Sequence, residues 1–242
     1  MQQDTCVCVF FKSPIVGTVK TRLIPLVGAE SAAALAEAFF RDTWNRVRSL
    51  SWAVPIVAST GPLNPALLPH PEPGVWLQGG GDLGARMERI LRRALAQAPF
   101  TIALGADSPG MPARLLHQAH EALQSADAVL GPSDDGGFYL LALRECPPGL
   151  LAGIPWSQPT TFARTLERFN ERGLKSIVLD HWYDIDRPED LERLCGDVAS
   201  EAIDAPHTAS VLAGLQAVGK LSATFPFGAA PLGSNSDGAH VR

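Results

Sequence analysis

Uncharged apolar runs and polar segments alternate along this chain. The run Cys6–Phe11 (CVCVFF) has neither charge nor alternation, the pattern of a strand covered on both faces. Past a polar loop, residues 29–50 (AESAAALAEAFFRDTWNRVRSL) bring Leu35, Phe39, Phe40, Trp44 and Val47 round to one stripe, which predicts a long helix. WAVPIVAS, residues 52–59, reads as a second strand, although Pro55 argues against a central position in a sheet. Residues 60–74 are rich in proline and read as a loop. VWLQ, residues 75–78, is a short strand that enters GGGDLG. The helix ARMERILRRALAQA, residues 85–98, then turns Met87, Ile90, Leu91, Ala94 and Leu95 inward.

FTIALGADSPGMP, residues 100–112, is a continuous apolar strand ending in a loop, and Pro112 suits the first turn of a helix reaching about Gln124. DAVLGPSDDGGFYLLAL, residues 127–143, gives two strands around a glycine-rich polar turn. A helix over Thr161–Arg172, a strand in KSIVLD and a short helix over Pro188–Cys195 follow. Strands without alternation, separated by amphipathic helices, predict an α/β protein of three layers: a mostly parallel sheet with helices on both faces. TASVLAGLQAV, residues 208–218, can form one more helix. From Leu221 onward small residues, low charge and no period predict a flexible tail, so residues 1–220 are expected to form one domain and 221–242 to lie outside it. No internal repeat is present.

Composition narrows the function. With 46% apolar and 19% charged residues the chain is an ordinary globular sequence, and 242 residues suit one domain with a substantial core. A net charge of −5 argues against a nucleic-acid or polybasic membrane binder. No apolar run approaches a membrane span, and MQQDT is no secretory leader, so a cytoplasmic protein is expected. The four cysteines show neither a C-x-x-C pair nor a zinc spacing. Cys6 and Cys8, two apart in a strand, share a face and read as buried packing residues.

Within this acidic chain three cations cluster directly after the first strand, in KSPIVGTVKTRL: Lys12, Lys20 and Arg22. In open α/β sheets ligands bind outside the carboxyl ends of the strands, where the charged residues here collect repeatedly. QGGGDLG follows one strand, Asp107 closes TIALGAD, and WYDIDRPEDL carries Asp184 and Asp186 after another strand. Cations and carboxylates at one sheet edge suit phosphates with a divalent metal, since magnesium needs only one or two carboxylates when phosphates supply further oxygens. Each element also has a plainer reading. Lys20 and Arg22 are also compatible with solvated residues, GGGDLG with a capping turn, and Asp107 and Asp186 with helix caps. The segment is not a Walker A loop, because Val19 stands where glycine is required before the lysine. His117 and His120 share a helix face without acidic or thiol partners and read as surface residues.

FFKSPIVGTVKTRL, LQGGGDLGARM, LGADSPGMP, GPSDDGGFYLLAL, GIPWSQPTTFARTL and YDIDRPEDLERL, in this order, resemble the DUF2064 family of predicted bacterial transferases. The resemblance spans about residues 5–196. It implies the GT-A, Rossmann-like fold of the nucleotide-diphospho-sugar transferases, with a more distant likeness to the nucleotidyltransferases that activate phospholactate, molybdopterin and sugar phosphates. It further implies that Gly17, Lys20 and Arg22 grip nucleotide phosphates, and that Gln78, Gly79 and Gly80 meet the base or ribose. Asp107 and Asp186 are implied as ligands of Mg²⁺ or Mn²⁺, and Asp135, Gly136, Gly137, Trp156 and Ser157 as lying near the second substrate. Asp184, expected on the face opposite Asp186 if that stretch is extended, is the substitute ligand. The chain departs from the pattern at four places: a third glycine in QGGGDLG, a loop after the first strand without the long G-x-G-x-R signature of many sugar-nucleotide synthases, A-D-S in place of D-x-D, and Arg187 in place of the usual threonine.

The leading expectation is nucleotidyl transfer from a nucleoside triphosphate to a phosphorylated small-molecule acceptor, with release of pyrophosphate. Its rival on the same site is glycosyl transfer from a nucleotide-sugar, and a third reading is a non-catalytic nucleotide-binding protein. Neither nucleic acid nor membrane is an expected partner.

Overall fold

The computed structural model describes residues 3–67 and 74–221. It contains seven strands: β1 (Thr5–Phe11), β2 (Ala53–Ser59), β3 (Gly74–Leu77), β4 (Phe100–Gly105), β5 (Ala128–Pro132), β6 (Phe138–Leu143) and β7 (Ser176–Val178). The helices are α1 (Ile24–Val27), α2 (Ala29–Arg48), α3 (Leu83–Leu95), α4 (Ala113–Ala122), α5 (Thr161–Glu171), α6 (Pro188–Ala199) and α7 (Pro206–Ala217). The strands form one sheet in the order β3-β2-β1-β4-β6-β5-β7. All neighbours are parallel except β6, which runs antiparallel to β4 and β5 because a short turn joins it to β5.

Each strand's two faces feed different cores. Val7, Val9 and Phe11 of β1 pack with Phe40, Trp44 and Val47 of α2 and with Leu115, Leu116 and Ala119 of α4. On the other face Cys6 and Cys8 meet Ile90 and Ala94 of α3, while Leu141 and Leu143 meet Phe169 of α5. Burial on both faces explains why the strands carry no alternation. Helices α6 and α7 form an outer patch on α2, where Leu191, Leu194, Leu212 and Leu215 cover Leu35 and Phe39. The α/β, three-layer architecture expected from the apolar pattern is the one observed. All four cysteines are buried free thiols. No described helix is long and apolar enough to cross a membrane.

Three sequence expectations need correction. β2 is flanked by β1 and β3 despite Pro55. β3 begins opposite Ile56, so at Pro55 the strand is locally an edge and a missing N–H is tolerated. α6 continues to Ala199, beyond the expected Cys195. Leu221, assigned to the tail, is buried in the α2–α6–α7 patch, and the backbone N–H of Lys220 donates to Leu215 O at 2.9 Å. The rest of the expected tail, residues 222–242, lies outside the described residues.

Candidate functional site

The carboxyl ends of β1, β2, β3 and β4 are held level by backbone bonds that continue the ladder past the strands. Thr60 N–H donates to Phe11 O (3.1 Å), Gln78 N–H to Ser59 O (2.8 Å) and Ala106 N–H to Phe10 O (3.2 Å). Over this edge lies a cleft of about 620 Å³, lined by Lys12, Thr18, Lys20, Thr21, Arg22, Arg86, Asp107, Ser157 and Asp186 among others. Asp107 follows β4 directly. Asp186 arrives from far along the chain: β7 pairs with β5, Trp182 N–H donates to Pro132 O (3.2 Å), and Ile185 N–H donates to Asp107 O (2.9 Å). That last bond sets Asp186 beside Asp107.

Lys20 sits between them. Its Nζ lies 2.7 Å from Asp107 Oδ1 and 2.9 Å from Asp186 Oδ1, so the two carboxylates are no further apart than the sum of these distances. The lysine side chain is only 5% exposed, whereas Asp107 and Asp186 keep 56% and 43% of theirs open to the cleft. Burial alone would lower the lysine pKa, but Asp107 and Asp186 outweigh it and hold it above the ordinary value. Burial likewise opposes the charge on Asp186. Lys20, with Arg22 and Arg187, more than offsets this and keeps that carboxyl below its ordinary value. Arg22 Nη1 stands 3.8 Å from Asp186 Oδ2.

Neither carboxylate acts as a helix cap. α4 starts at Ala113, well past Asp107. At α6 Asp190 does the capping, accepting from the backbone N–H of Asp186 (3.0 Å) and of Arg187 (2.7 Å). The lysine backbone is itself unusual: Lys20 has φ 45° and Ser157, on the same cleft, φ 57°. Non-glycine residues in the left-handed region store strain, which tends to collect at functional sites.

Asp184 lines a second cleft of about 380 Å³ together with Asp135, Ser157, Arg187 and Asp190. This cleft shares Arg22, Ser157 and Asp186 with the first, so the two open into each other at these residues. Asp184 and Asp186 therefore line one cavity while Tyr183 and Ile185 are buried. The expected opposite placement is wrong, because residues two apart in an extended stretch share a face. Burial, then Asp135 and Asp186, push the Asp184 carboxyl up to about 7.

The other sequence-predicted residues divide into those on the clefts and those behind them. Asp135 lines the second cleft, its Oδ1 accepting from Ser133 Oγ (2.5 Å) and Gly137 N–H (2.8 Å). Gly136 has φ 84°, and a Cβ there would stand 2.1 Å from Pro159 O, so glycine is required for the 133–137 turn to pack on the loop carrying Ser157. Trp156 does not line either cleft. It packs edge-on to Phe138 and against Gly84, where any Cβ would meet its indole at 2.7 Å.

Gln78 is buried, and both ends of its amide are taken: Nε2 donates to Ala58 O (2.7 Å) and Oε1 accepts from Arg86 (3.2 Å). Arg89 donates to Gln78 O and to Gly80 O, which fastens the 78–80 turn to α3. Gln78, Gly79 and Gly80 thus line neither cleft, and Arg86, which Gln78 holds, is the residue that does. Gly17 (φ 80°) turns the loop after β1 without lining the cleft. Lys12 closes the same loop by donating to Thr18 O at 2.6 Å.

Sequence reasoning missed Arg86, although a signal existed. Asp82 caps α3 by accepting from Ala85 N–H at 2.8 Å, and a cation just past that cap opposes the helix dipole. Arg187, the N-cap residue of α6, breaks the same rule on the second cleft. Among the described residues no group of three or more His, Cys, Asp or Glu has the arrangement of a metal site. A cation held by protein here would have the Asp107–Asp186 pair and further oxygens from a ligand.

The order of strands, the single antiparallel strand and the cleft over the carboxyl edge define a nucleotide-diphospho-sugar transferase type of fold. Residues 43–158 match the model of the DUF2064 family, described as an uncharacterised protein conserved in bacteria, so the resemblance read from the motifs is borne out over that stretch. A crystal structure from Desulfovibrio desulfuricans G20, provisionally classed as a nucleotide-diphospho-sugar transferase, is 29% identical with a TM-score of 0.81, covering 90% of this chain and 97% of the other. Two further structures share the fold at low identity. A CMP:2-keto-3-deoxy-manno-octonic acid synthetase complexed with CTP is 12% identical (TM-score 0.55; 82% and 99% covered). The 4-diphosphocytidyl-2C-methyl-D-erythritol synthase of Anaerococcus prevotii DSM 20548 is 13% identical (TM-score 0.53; 81% and 99% covered). No curated protein sequence matches the chain.

Proposed function

We propose that the protein is a nucleotide-using transferase assisted by Mg²⁺ or Mn²⁺, and that it transfers a nucleotidyl group to a phosphorylated small molecule. The observation that carries this reading is the meeting of Lys20, Asp107 and Asp186 at one point of an open cleft, with Arg22 beside them and Arg86 also on the wall. Two carboxylates from distant segments of the chain fit a magnesium ion that draws its other oxygens from phosphates and water. Such an ion supplies electrostatic stabilisation of charge on the transferring phosphoryl group.

The protein's own residues account for the rest. Lys20 and Arg22 bind oxygens of the triphosphate, and Arg86 meets it from the α3 side. Asp135 and Ser157 border the second cleft, where the acceptor is bound. A phosphate oxygen of the acceptor then forms a bond to the α-phosphorus while the bond from α-phosphorus to the bridging oxygen breaks, and pyrophosphate leaves. No protein nucleophile is needed. Preorganised cations at the site of developing charge supply the largest share of such catalysis.

Glycosyl transfer from a nucleotide-sugar is the second reading, supported by the provisional class of the Desulfovibrio protein. The test is a thermal-shift panel of nucleoside triphosphates and nucleotide-sugars, with and without Mg²⁺, since a ligand of the native state raises the melting temperature. The best-stabilising donor is then incubated with phosphorylated acceptors. Pyrophosphate supports nucleotidyl transfer, a nucleoside diphosphate supports glycosyl transfer, and stabilisation by no nucleotide refutes both.

A further inference from the structure

Among the described residues, Lys20 is the one cation in contact with both cleft carboxylates. We infer that its ammonium is a stand-in for the divalent ion. It holds the Asp107–Asp186 pair together in the free protein and has to leave when the ion enters, so metal entry releases the lysine for the phosphates. The identity of the incoming ion rests on the transferase reading above; the exchange itself rests on the geometry.

Three observations support it. The ammonium lies 2.7 Å and 2.9 Å from the two oxygens that would face an ion, and a magnesium ligand distance is about 2.1 Å, so lysine and ion cannot share that space. A divalent ion there would also stand directly against a positive charge, a repulsion that solvent screens poorly at so short a distance. Finally, the lysine has somewhere to go. Its side chain is a flexible four-carbon stem, and the cleft beside it is lined by Thr18, Thr21, Arg22 and Arg86, the direction in which the proposal puts phosphates.

A consequence is coupling. An ion arriving alone must break two short ion pairs and leave a lysine unpartnered, whereas an ion arriving with phosphates brings the lysine new partners. Ion and phosphate should therefore strengthen each other's binding by the same factor, as linkage requires.

The test measures Mn²⁺ binding to the full chain by electron paramagnetic resonance, without nucleotide, in the wild type, Lys20→Met and Lys20→Arg. The expected result is binding tighter by about tenfold or more in Lys20→Met, which lacks the competing charge, and wild-type affinity in Lys20→Arg, which keeps it. Asp107→Asn added to Lys20→Met should abolish the gain. Equal affinities in the wild type and Lys20→Met overturn the exchange while leaving the metal site standing. No Mn²⁺ binding to folded protein of either kind, with or without nucleoside triphosphate, overturns the metal site and the inference together. A second measurement needs no variant: in the wild type, saturating Mn²⁺ should raise acetylation of the Lys20 amine severalfold relative to exposed Lys175. An unchanged ratio overturns the exchange.

Discussion

Replacing Asp186 by Asn tests the electrostatic account of the cleft. From repulsion between two neighbouring carboxylates alone, the substitution would leave the free protein as stable or slightly more stable. The structure reverses that sign, because Lys20 lies between the carboxylates and is itself 5% exposed. Losing one partner of a fully buried pair costs about 3–5 kcal/mol. Here Asp107 remains at 2.7 Å, asparagine still offers an oxygen, and the Asp186 side chain is 43% exposed and screened by solvent. A loss of about 1–2 kcal/mol is therefore expected, or about 2–8 °C in melting temperature for a domain of this size.

The pH dependence follows from the signs of the two shifts. Asp186 is held below the ordinary carboxylate range, so its stabilisation is present above the unfolded carboxylate pKa and is lost as pH falls through the folded one. Lys20 is held above the ordinary range, so its share is present at neutral pH and lost only as pH rises through the folded value. The deficit of Asp186→Asn should be flat around neutrality and shrink in acid. Differential scanning calorimetry from pH 3 to pH 8 measures it. A variant as stable as the wild type at pH 7, or more so, would refute the reasoning, since Lys20 would then gain nothing from its second partner.

Arg22→Ala removes an exposed guanidinium whose contact with Asp186 is already long, at 3.8 Å. It should weaken nucleotide binding by about 1–3 kcal/mol in titration calorimetry and leave the melting temperature within error. Asp42 is buried and caps α7 from α2, its two oxygens accepting from His207 N–H (2.9 Å) and Thr208 N–H (2.8 Å). Asp42→Ala should cost about 1.5–3 kcal/mol in urea denaturation, with nucleotide affinity unchanged in the folded protein. A chain ending at Leu221 should melt with the full-length protein. One ending at Val218 should lose about 2–3 kcal/mol, because it forfeits buried Leu221 and the Lys220 bonds to Val27 O (3.0 Å) and Ser31 Oγ (3.1 Å). Equal melting of the two shortened chains would show that this anchor contributes nothing.

The local pattern of the chain was enough to define the layers. A strand buried on both faces must be apolar at every position, as in CVCVFF, and a helix lying on a sheet must repeat its apolar residues at helical spacing, as from Leu35 to Val47. Motif order likewise put Lys20, Arg22, Asp107 and Asp186 at strand ends. Tertiary structure decided what those residues do to one another. No spacing rule could reveal that Ile185 bonds to Asp107 O or that Lys20 closes the gap between two carboxylates. Nor could it show that Gln78 spends its amide on Ala58 and Arg86, or that Trp156 turns away from the clefts to pack on Gly84. The physical reason is range. Burial and helix periodicity act between neighbours in sequence, whereas charge pairing and hydrogen-bond satisfaction depend on which distant segments the sheet order brings together.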